Sequence, residues 1–186
     1  MFFFRQSYVF LFIRRKIREV CGRYMGKYDN KMNHQYYLRK AIEVAMENMD
    51  RGGGPFGAVI VRDGQIIASA SNSVTSDNDP TAHAEINCIR QACSRLGNFE
   101  LKDCVIYSSC EPCPMCLSAI YWARLKHIYY AADRKDAARA GFDDQHIYDE
   151  IPLEESRRSL PIEKVEHPDA LKPFEYWLQK EDRIEY

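Results

Sequence analysis

The sequence lacks a strong net charge of either sign, since its 26 Lys and Arg residues nearly balance its 27 Asp and Glu residues. Proteins that bind the phosphate backbone of nucleic acids usually carry an excess of basic residues, so this balance argues against that class. The sequence also lacks internal repeats and low-complexity linkers. At 186 residues, of which 46% are hydrophobic, the chain is long enough to bury one core, and we expect a single domain.

The basic residues are concentrated in residues 1–31, which carry eight Lys or Arg and two acidic residues and leave an acidic body. This segment lacks the charge order and the small-residue cleavage site of a secretory signal, and its apolar stretch is too short to span a membrane. We expect it to be an extension from an upstream start codon, with Met32 as the natural start and residues 32–186 as the domain. An amphipathic membrane anchor or an organellar leader is the alternative.

The cysteines lack the even count and regular spacing of a disulfide scaffold. There are seven of them, and three fall within eight residues in the stretch SCEPCPMC, residues 109–116. An odd number in a chain that can form its own core indicates a reducing, cytoplasmic location. Thiolate metal ligands are therefore plausible.

Hydrophobic periodicity predicts a mainly alternating α/β order. An amphipathic helix between Leu38 and Met49 ends at RGGGPFG, and two strands flank the hairpin signal Asp63-Gly64. A polar loop follows, then a helix starting near His83, a strand at CVIYSS, a helix at PMCLSAIYWAR and a strand at HIYYAA. This alternation predicts a layered α/β sheet with at least one parallel pair. Asp79 to Thr81 are capping candidates for the second helix.

His83 and Glu85 form an H-x-E motif, and Cys113 and Cys116 form P-C-x-x-C. Thiols at i and i+3 project from one face of a first helical turn, where the dipole and free amides favour thiolate. With His83 they make three zinc ligands and leave a fourth position for water, as in catalytic zinc sites. A Cys113–Cys116 redox pair and a structural zinc site with Cys110 as fourth ligand are the alternatives.

The paired motifs are the signature of the zinc deaminases, in which the glutamate is the acid/base and not a ligand. The stretches THAEIN, SCEPCPMCLSAIYWAR and GPFGAVI resemble the cytidine deaminase-like superfamily. Within it, SDNDPTAHAE, AARAGFDD and the aromatic C-terminal tail are similar to the bacterial guanine deaminases. The resemblance runs from about Met32 to Tyr186.

The resemblance implies a three-layer α/β/α fold with a five-stranded mixed sheet and helices on both faces. It implies one Zn²⁺ per subunit, held by His83, Cys113 and Cys116, and the hydrolysis of guanine to xanthine and ammonia in purine catabolism. Glu85 is then the catalytic acid/base. A second carboxylate is implied at Asp143 or Asp144, and we favour Asp144. The alternative is that these acids only cap or turn the chain.

The resemblance also implies a homodimer, with a domain swap through the C-terminal segment 173–186 as one arrangement. That segment would close over an active site, whereas a frayed tail is the usual expectation. Core packing is the alternative for Phe56 and Trp122, and a turn role is the alternative for Asn72. The predicted substrate contacts are Phe56, Asn72, the Ala84 backbone amide, Trp122, Asp143 and Tyr186.

Three other functions remain open. A tRNA adenosine deaminase shares the HAE and EPC-x-MC pattern but needs a positive phosphate track, which the acidic body does not provide. Other aminopurines and triazine-like amines share the amidine group that reacts. A non-catalytic zinc-stabilised binding module would use Glu85 only at a helix start. We expect a small purine base as the partner, with neither nucleic acid nor membrane.

Overall fold

A computed structural model describes residues 33–185, so residues 1–32, including the predicted extension, and Tyr186 lie outside the described part. Helix α1 covers residues 33–50. It is followed by β1 (Gly57–Arg62), β2 (Gln65–Ser71), α2 (Val74–Asp77), α3 (Ala84–Leu96), β3 (Cys104–Cys110), α4 (Pro114–Trp122) and β4 (His127–Ala132). The chain then continues through α5 (Arg134–Arg139), α6 (Gln145–Glu150), a 3₁₀ turn (Glu155–Arg157) and α7 (Lys172–Gln179).

The strands form one mixed sheet in the order β2-β1-β3-β4. The predicted hairpin is confirmed: β1 and β2 are antiparallel, and Asp63 and Gly64 both have positive φ, as a tight two-residue turn requires. The predicted parallel pair is β3 with β4, joined by α4. This connection brings the carboxyl end of β3 directly to the start of α4, where the cysteine motif lies.

Side chains alternate along the strands and face two cores. Ala58, Ile60 and Ile106 pack with residues of α3 and α4, whereas Val59 and Tyr107 pack with Tyr37 of α1 on the opposite face. The sheet therefore lies between two helical layers, as the three-layer prediction requires. Helix α1 packs so closely on β1 that a Cβ at Gly57 would lie 2.3 Å from the Ala41 carbonyl oxygen, too near for a side chain there.

The prediction of a five-stranded sheet is wrong for the described part of the chain, in which the sheet has four strands. After β4, Asp133 forms a capping box that starts α5 immediately. Beyond α6, residues 151–168 contain three prolines and many charged side chains, and they are largely exposed. Proline cannot donate to a strand ladder, so this segment is poorly suited to pair with β4.

Two local expectations also need correction. The predicted polar loop after β2 contains the one-turn helix α2, which ends at Asn78 in the left-handed conformation. Asp79 does not cap α3, because its Oδ1 instead accepts hydrogen bonds from the Thr81 amide and hydroxyl, both at 2.7 Å. The N-cap of α3 is His83, and Gly97 is its C-cap. None of the helices within residues 33–185 combines the length and the hydropathy that a membrane span requires.

Candidate active site

Two helix N-termini meet at the predicted metal site. His83 is the N-cap of α3 and Cys113 is the N-cap of α4, and neither cap residue makes a side-chain capping hydrogen bond. Pro114 follows at the first helical position of α4, where its fixed φ favours a helix start and its missing N–H is not needed. Cys116 lies one turn further and is buried. Both side chains that would ordinarily cap these helices thus face a common point.

The three predicted ligands come together as a cluster. One ligand atom from each of His83, Cys113 and Cys116 lies within 4.8 Å of the others. His83 Nδ1 lies 3.5 Å from the Sγ atoms of both cysteines. In a tetrahedral zinc site with ordinary bond lengths, sulfur and nitrogen ligands lie about 3.5 Å apart. The residues therefore fit zinc.

The protonation chemistry of the cluster also suits a metal. The hydrogen bond between the two cysteines lowers the pKa of Cys113 to about 4 and raises the pKa of Cys116, so that the pair shares one proton. The hydrogen bond that the His83 ring N–H donates to the Cys113 sulfur raises the pKa of His83. Zinc needs thiolate and neutral imidazole, and its binding therefore releases protons from this cluster.

Cys110 lies outside the cluster. Its thiol is buried and contacts the Asp133 carbonyl oxygen at 3.6 Å, and burial raises its pKa to about 11. Within the described residues, the group that could hold a metal contains only the three predicted ligands. A four-ligand structural site with Cys110 is therefore not formed, and one coordination position is left for another molecule.

Glu85 occupies the first turn of α3 and is only 6% exposed. The hydroxyl of Ser108, on the central strand β3, donates to Glu85 Oε1 at 2.9 Å. Burial raises the pKa of Glu85, while the bonds from its own backbone amide and from Ser108 act in the opposite direction. The carboxyl group is thus held beside the cluster in an orientation that can exchange a proton with a bound molecule.

The two candidate aspartates have different surroundings. Asp143 is exposed, and its Oδ1 accepts the Gln145 amide at 2.9 Å, which is a local turn contact at the start of α6. Asp144 is the N-cap of α6 but makes no side-chain capping bond. Its charge is close enough to help raise the pKa of His83, and Cys113 in turn helps raise the pKa of Asp144, after burial. The geometry brings Asp144 toward the cluster and leaves Asp143 with a capping role.

Phe56 and Asn72 lie together at the adjoining strand ends. The Asn72 backbone N–H donates to the Phe56 carbonyl oxygen at 3.2 Å. Phe142 packs edge-to-face on Phe56, with ring centroids 4.9 Å apart, so the segment that carries Asp144 covers this aromatic ring. Ala84 is the first residue of α3, and helix geometry leaves its N–H without an intrahelical acceptor. Ala84 directly follows the cluster residue His83, and Phe142 lies two residues before Asp144.

Within a single chain, Trp122 lies at the opposite end of α4 from the cysteine ligands. It ends α4, eight residues after the helix start at Pro114, or about 12 Å along the axis. Its side chain is 60% exposed and near the Arg124 guanidinium. A substrate role for Trp122 stays a prediction, as does one for Tyr186.

Several residues were not predicted from the sequence. Ser108 could have been found as a polar side chain inside a buried strand, since such groups need a partner.

A second set of residues that were not predicted joins the cysteine loop, which lies between β3 and α4, to α6. Glu111 pairs with Arg134, and the Arg134 guanidinium lies 3.9 Å from the Tyr148 ring centroid. Tyr148 donates to the Pro112 carbonyl oxygen at 3.3 Å. These contacts dock α6, next to Asp144, onto the cysteine loop.

Comparison with known proteins agrees with this site. Residues 31–132 match the model of the cytidine and deoxycytidylate deaminase zinc-binding region, which includes all three ligands and Glu85. The chain is 53% identical over 156 residues to the guanine deaminase of Bacillus subtilis (strain 168), covering 83% of this chain and all of that protein. It is 41% identical over 105 residues to the tRNA-specific adenosine deaminase of Aquifex aeolicus (strain VF5), covering 56% of this chain and 70% of that protein.

The fold agrees as well. The X-ray structure of guanine deaminase from Bacillus subtilis superposes with a TM-score of 0.81 at 52% identity, covering 82% of this chain and 98% of that chain. The predicted zinc chemistry and family are thereby confirmed. The chain belongs to the cytidine and deoxycytidylate deaminase zinc-binding family.

Proposed function

We propose that this protein hydrolyses guanine to xanthine and ammonia with one zinc ion per subunit. The observation that carries this proposal is the buried carboxyl group of Glu85 beside a three-ligand cluster that leaves one coordination position open. The guanine deaminase of Bacillus subtilis, which this chain matches over that protein's whole length, gives the substrate. His83, Cys113 and Cys116 hold the metal. When bound, zinc supplies Lewis-acid activation of the attacking water.

Glu85 moves the protons. Hydrolysis must take a proton from water and deliver protons to the ring nitrogen and to the departing amine, because an amide ion is a very poor leaving group. Burial favours the protonated form of Glu85, and the bond from Ser108 favours the ionised form. A carboxyl group balanced in this way can accept and return a proton within one turnover.

Asp144 is the second carboxylate. Because the Asp144 side chain makes no capping hydrogen bond, its carboxylate is available to the substrate amine. Asp143, in contrast, already accepts the Gln145 amide at the start of α6. The matched pair Asp144→Asn and Asp143→Asn tests this assignment. We expect a large loss of kcat for Asp144→Asn, whereas Asp143→Asn should mainly loosen α6. Equal kcat values for the two variants would contradict it.

The base binds between Phe56 and the start of α3. The Phe56 ring offers a face for stacking a purine, and Asn72 and the Ala84 N–H offer polar contacts to its edge. Phe142 limits the movement of Phe56 by its edge-to-face contact. These aromatic and neutral polar groups suit a free base, because a free base has no phosphate group that would need a cationic side chain.

We further infer a homodimer in which the C-terminal segment 173–186 closes over a partner's site. Helix α7 exposes Phe174, Tyr176 and Leu178, each to more than 65%, which is an unusual surface for a helix without a partner. A truncation before Pro173 should keep zinc and the folded core but lower turnover. Normal turnover of the truncated chain would contradict a closing role, and sedimentation tests the dimer.

The enzyme would act in the cytoplasm as one domain of residues 32–186, since the ligand thiols of Cys113 and Cys116 must stay reduced. The main alternative is a tRNA adenosine deaminase, because the Aquifex aeolicus relative shares 41% identity. That match covers 56% of this chain, against 83% for the guanine deaminase. A deaminase of another aminopurine is the second alternative.

The deciding experiment measures ammonia release by the zinc-loaded enzyme from guanine, adenine, cytosine and a tRNA substrate. We expect release from guanine that is lost in Glu85→Gln, with zinc content unchanged. Glu100→Gln removes a carboxylate from the loop before β3 and serves as the control. Turnover of another amine without turnover of guanine would overturn the substrate assignment, and no release from any amine would favour a binding module.

A further inference from the structure

Asn48, in the last turn of α1, is a buried polar residue that the mechanism above does not use. It is 7% exposed. The two N–H groups of its Nδ2 are shared among three acceptors: the Gly54 carbonyl oxygen at 2.9 Å, and the Asn72 carbonyl oxygen and Asn72 Oδ1, both at 3.0 Å. Its own Oδ1 accepts the Ser71 hydroxyl at 3.0 Å. All of these partners lie at or beside the predicted base-binding residue Asn72.

These partners determine which way the Asn48 amide points. Backbone carbonyl oxygens can only accept hydrogen bonds, so the atom that faces Gly54 and Asn72 must be the NH₂ group. The Asn72 side-chain atom that faces the same NH₂ group must then be oxygen. A flipped Asn72 amide would place two NH₂ groups against each other. Asn48 therefore selects one of the two orientations of the Asn72 amide.

The glycine run RGGG makes this contact possible. A Cβ at Gly53 would lie 2.2 Å from Asn48 Nδ2, and a Cβ at Gly54 would lie 3.0 Å from Asn72 Nδ2. Any larger residue would therefore force the loop away from one of the two amides. The Gly53 amide also donates back to the Asn48 carbonyl oxygen at 2.9 Å. The glycines let the main chain approach Asn48, besides ending α1.

The orientation leaves the Asn72 NH₂ group for a ligand. Among residues 33–185, none accepts a hydrogen bond from Asn72 Nδ2, and the side chain is half-buried. The Asn72 backbone amide is tied to Phe56, and the next amide, that of Ser73, donates to the Ala82 carbonyl oxygen at 2.8 Å, beside His83. Asn72 is thus anchored on three sides, with its donor group unused.

We propose that Asn48 is a positioning residue that makes the Asn72 side chain a hydrogen-bond donor to the substrate. This donor then favours a purine that carries hydrogen-bond acceptors on the edge opposite the reacting amine. The inference rests on the proposed function, since it takes Asn72 as a contact of the base. When the C2 amine of guanine faces the metal ligands, the opposite edge carries O6 and N7, which both accept. In 2,6-diaminopurine the reacting amine is the same, but an NH₂ group replaces O6. The fixed Asn72 donor discriminates between the two bases.

The test compares kcat/KM for guanine and 2,6-diaminopurine in the zinc-loaded enzyme and in Asn48→Ala. Without Asn48, the Asn72 amide is free to turn its oxygen toward the C6 amine. We expect kcat/KM for guanine to fall about tenfold, mainly through KM, as for the loss of one well-placed hydrogen bond. The ratio of kcat/KM for guanine to that for 2,6-diaminopurine should fall as well. In an Asn72→Ala background, Asn48→Ala should change this ratio by less than about twofold.

Two further variants separate positioning from folding. Asn48→Ser keeps one donor and should fold if Asn48→Ala does not, and it should give an intermediate ratio. Asn87→Ala is the matched control, because Asn87 Nδ2 donates to Ser71 and Ala82 carbonyl oxygens without contacting the Asn72 side chain. It should lower Tm and leave the ratio unchanged. Zinc content is measured for every variant.

The outcomes distinguish the two claims. If the wild-type enzyme does not turn over guanine, the proposed function fails and this inference fails with it. If the wild type is active but Asn48 variants lose both substrates in equal proportion, or if the losses at Asn48 and Asn72 are additive, only the inference is overturned. A reduced ratio that depends on Asn72 supports it.

Discussion

Replacing Ser108 with alanine should impair catalysis without affecting the metal site. Ser108 is 2% exposed and donates to Glu85 Oε1 at 2.9 Å. A hydrogen bond to a charged group contributes about 1.5–3 kcal/mol. If most of this energy orients Glu85 for proton transfer, kcat should fall by about 10- to 100-fold, at roughly 1.4 kcal/mol for each factor of ten.

The neighbouring serine provides the control. Ser109 is also buried on β3, but its hydroxyl accepts the Gly57 amide at 3.0 Å and does not contact Glu85. Ser109→Ala should lower Tm and change kcat by less than about threefold, since it leaves a buried N–H without its acceptor. The assay is ammonia release at saturating guanine, with zinc measured by atomic absorption. A Ser108→Ala enzyme that keeps its zinc and full kcat would refute the orienting role.

Substitutions at three other residues test the site. Glu85→Gln should retain zinc and lower kcat by at least about 10²-fold, because the amide cannot carry protons; zinc analysis and single-turnover kinetics check this. Cys110→Ser should keep both zinc and activity, and loss of metal would return Cys110 to the ligand set. Arg134→Ala should lower kcat severalfold, because it removes the contact of Arg134 with Tyr148 that docks α6. Arg134→Lys should recover part of this loss. Steady-state kinetics with unchanged zinc content would show both effects.

The parts of the site that depend on short sequence spacing could be predicted. Cys113 and Cys116, at i and i+3 of one helix start, have a spacing that places both side chains on one face, and His83 and Glu85 form a recognisable H-x-E motif at another helix start. The hairpin at Asp63-Gly64 was equally predictable, since few residues tolerate its positive φ values.

Contacts between distant segments could not be predicted in the same way. Asn48 and Asn72 are 24 residues apart, and Ser108 meets Glu85 across 23 residues. No local pattern distinguishes these residues from other polar residues, because their roles arise from the order of the strands. The fifth strand was expected from resemblance alone, and the charged, proline-containing segment after α6 offers no periodicity that would support it.

The two ligands that stand at helix starts, His83 and Cys113, link the amount of folded enzyme to the supply of zinc. Both occupy N-cap positions without making capping bonds, so a metal ion bound by both side chains would hold the two helix starts together. A ligand that binds only the native state stabilises it in proportion to the logarithm of its free concentration. The cellular level of this enzyme should therefore follow zinc availability, with the apo chain degraded faster than the metal-loaded chain during zinc limitation.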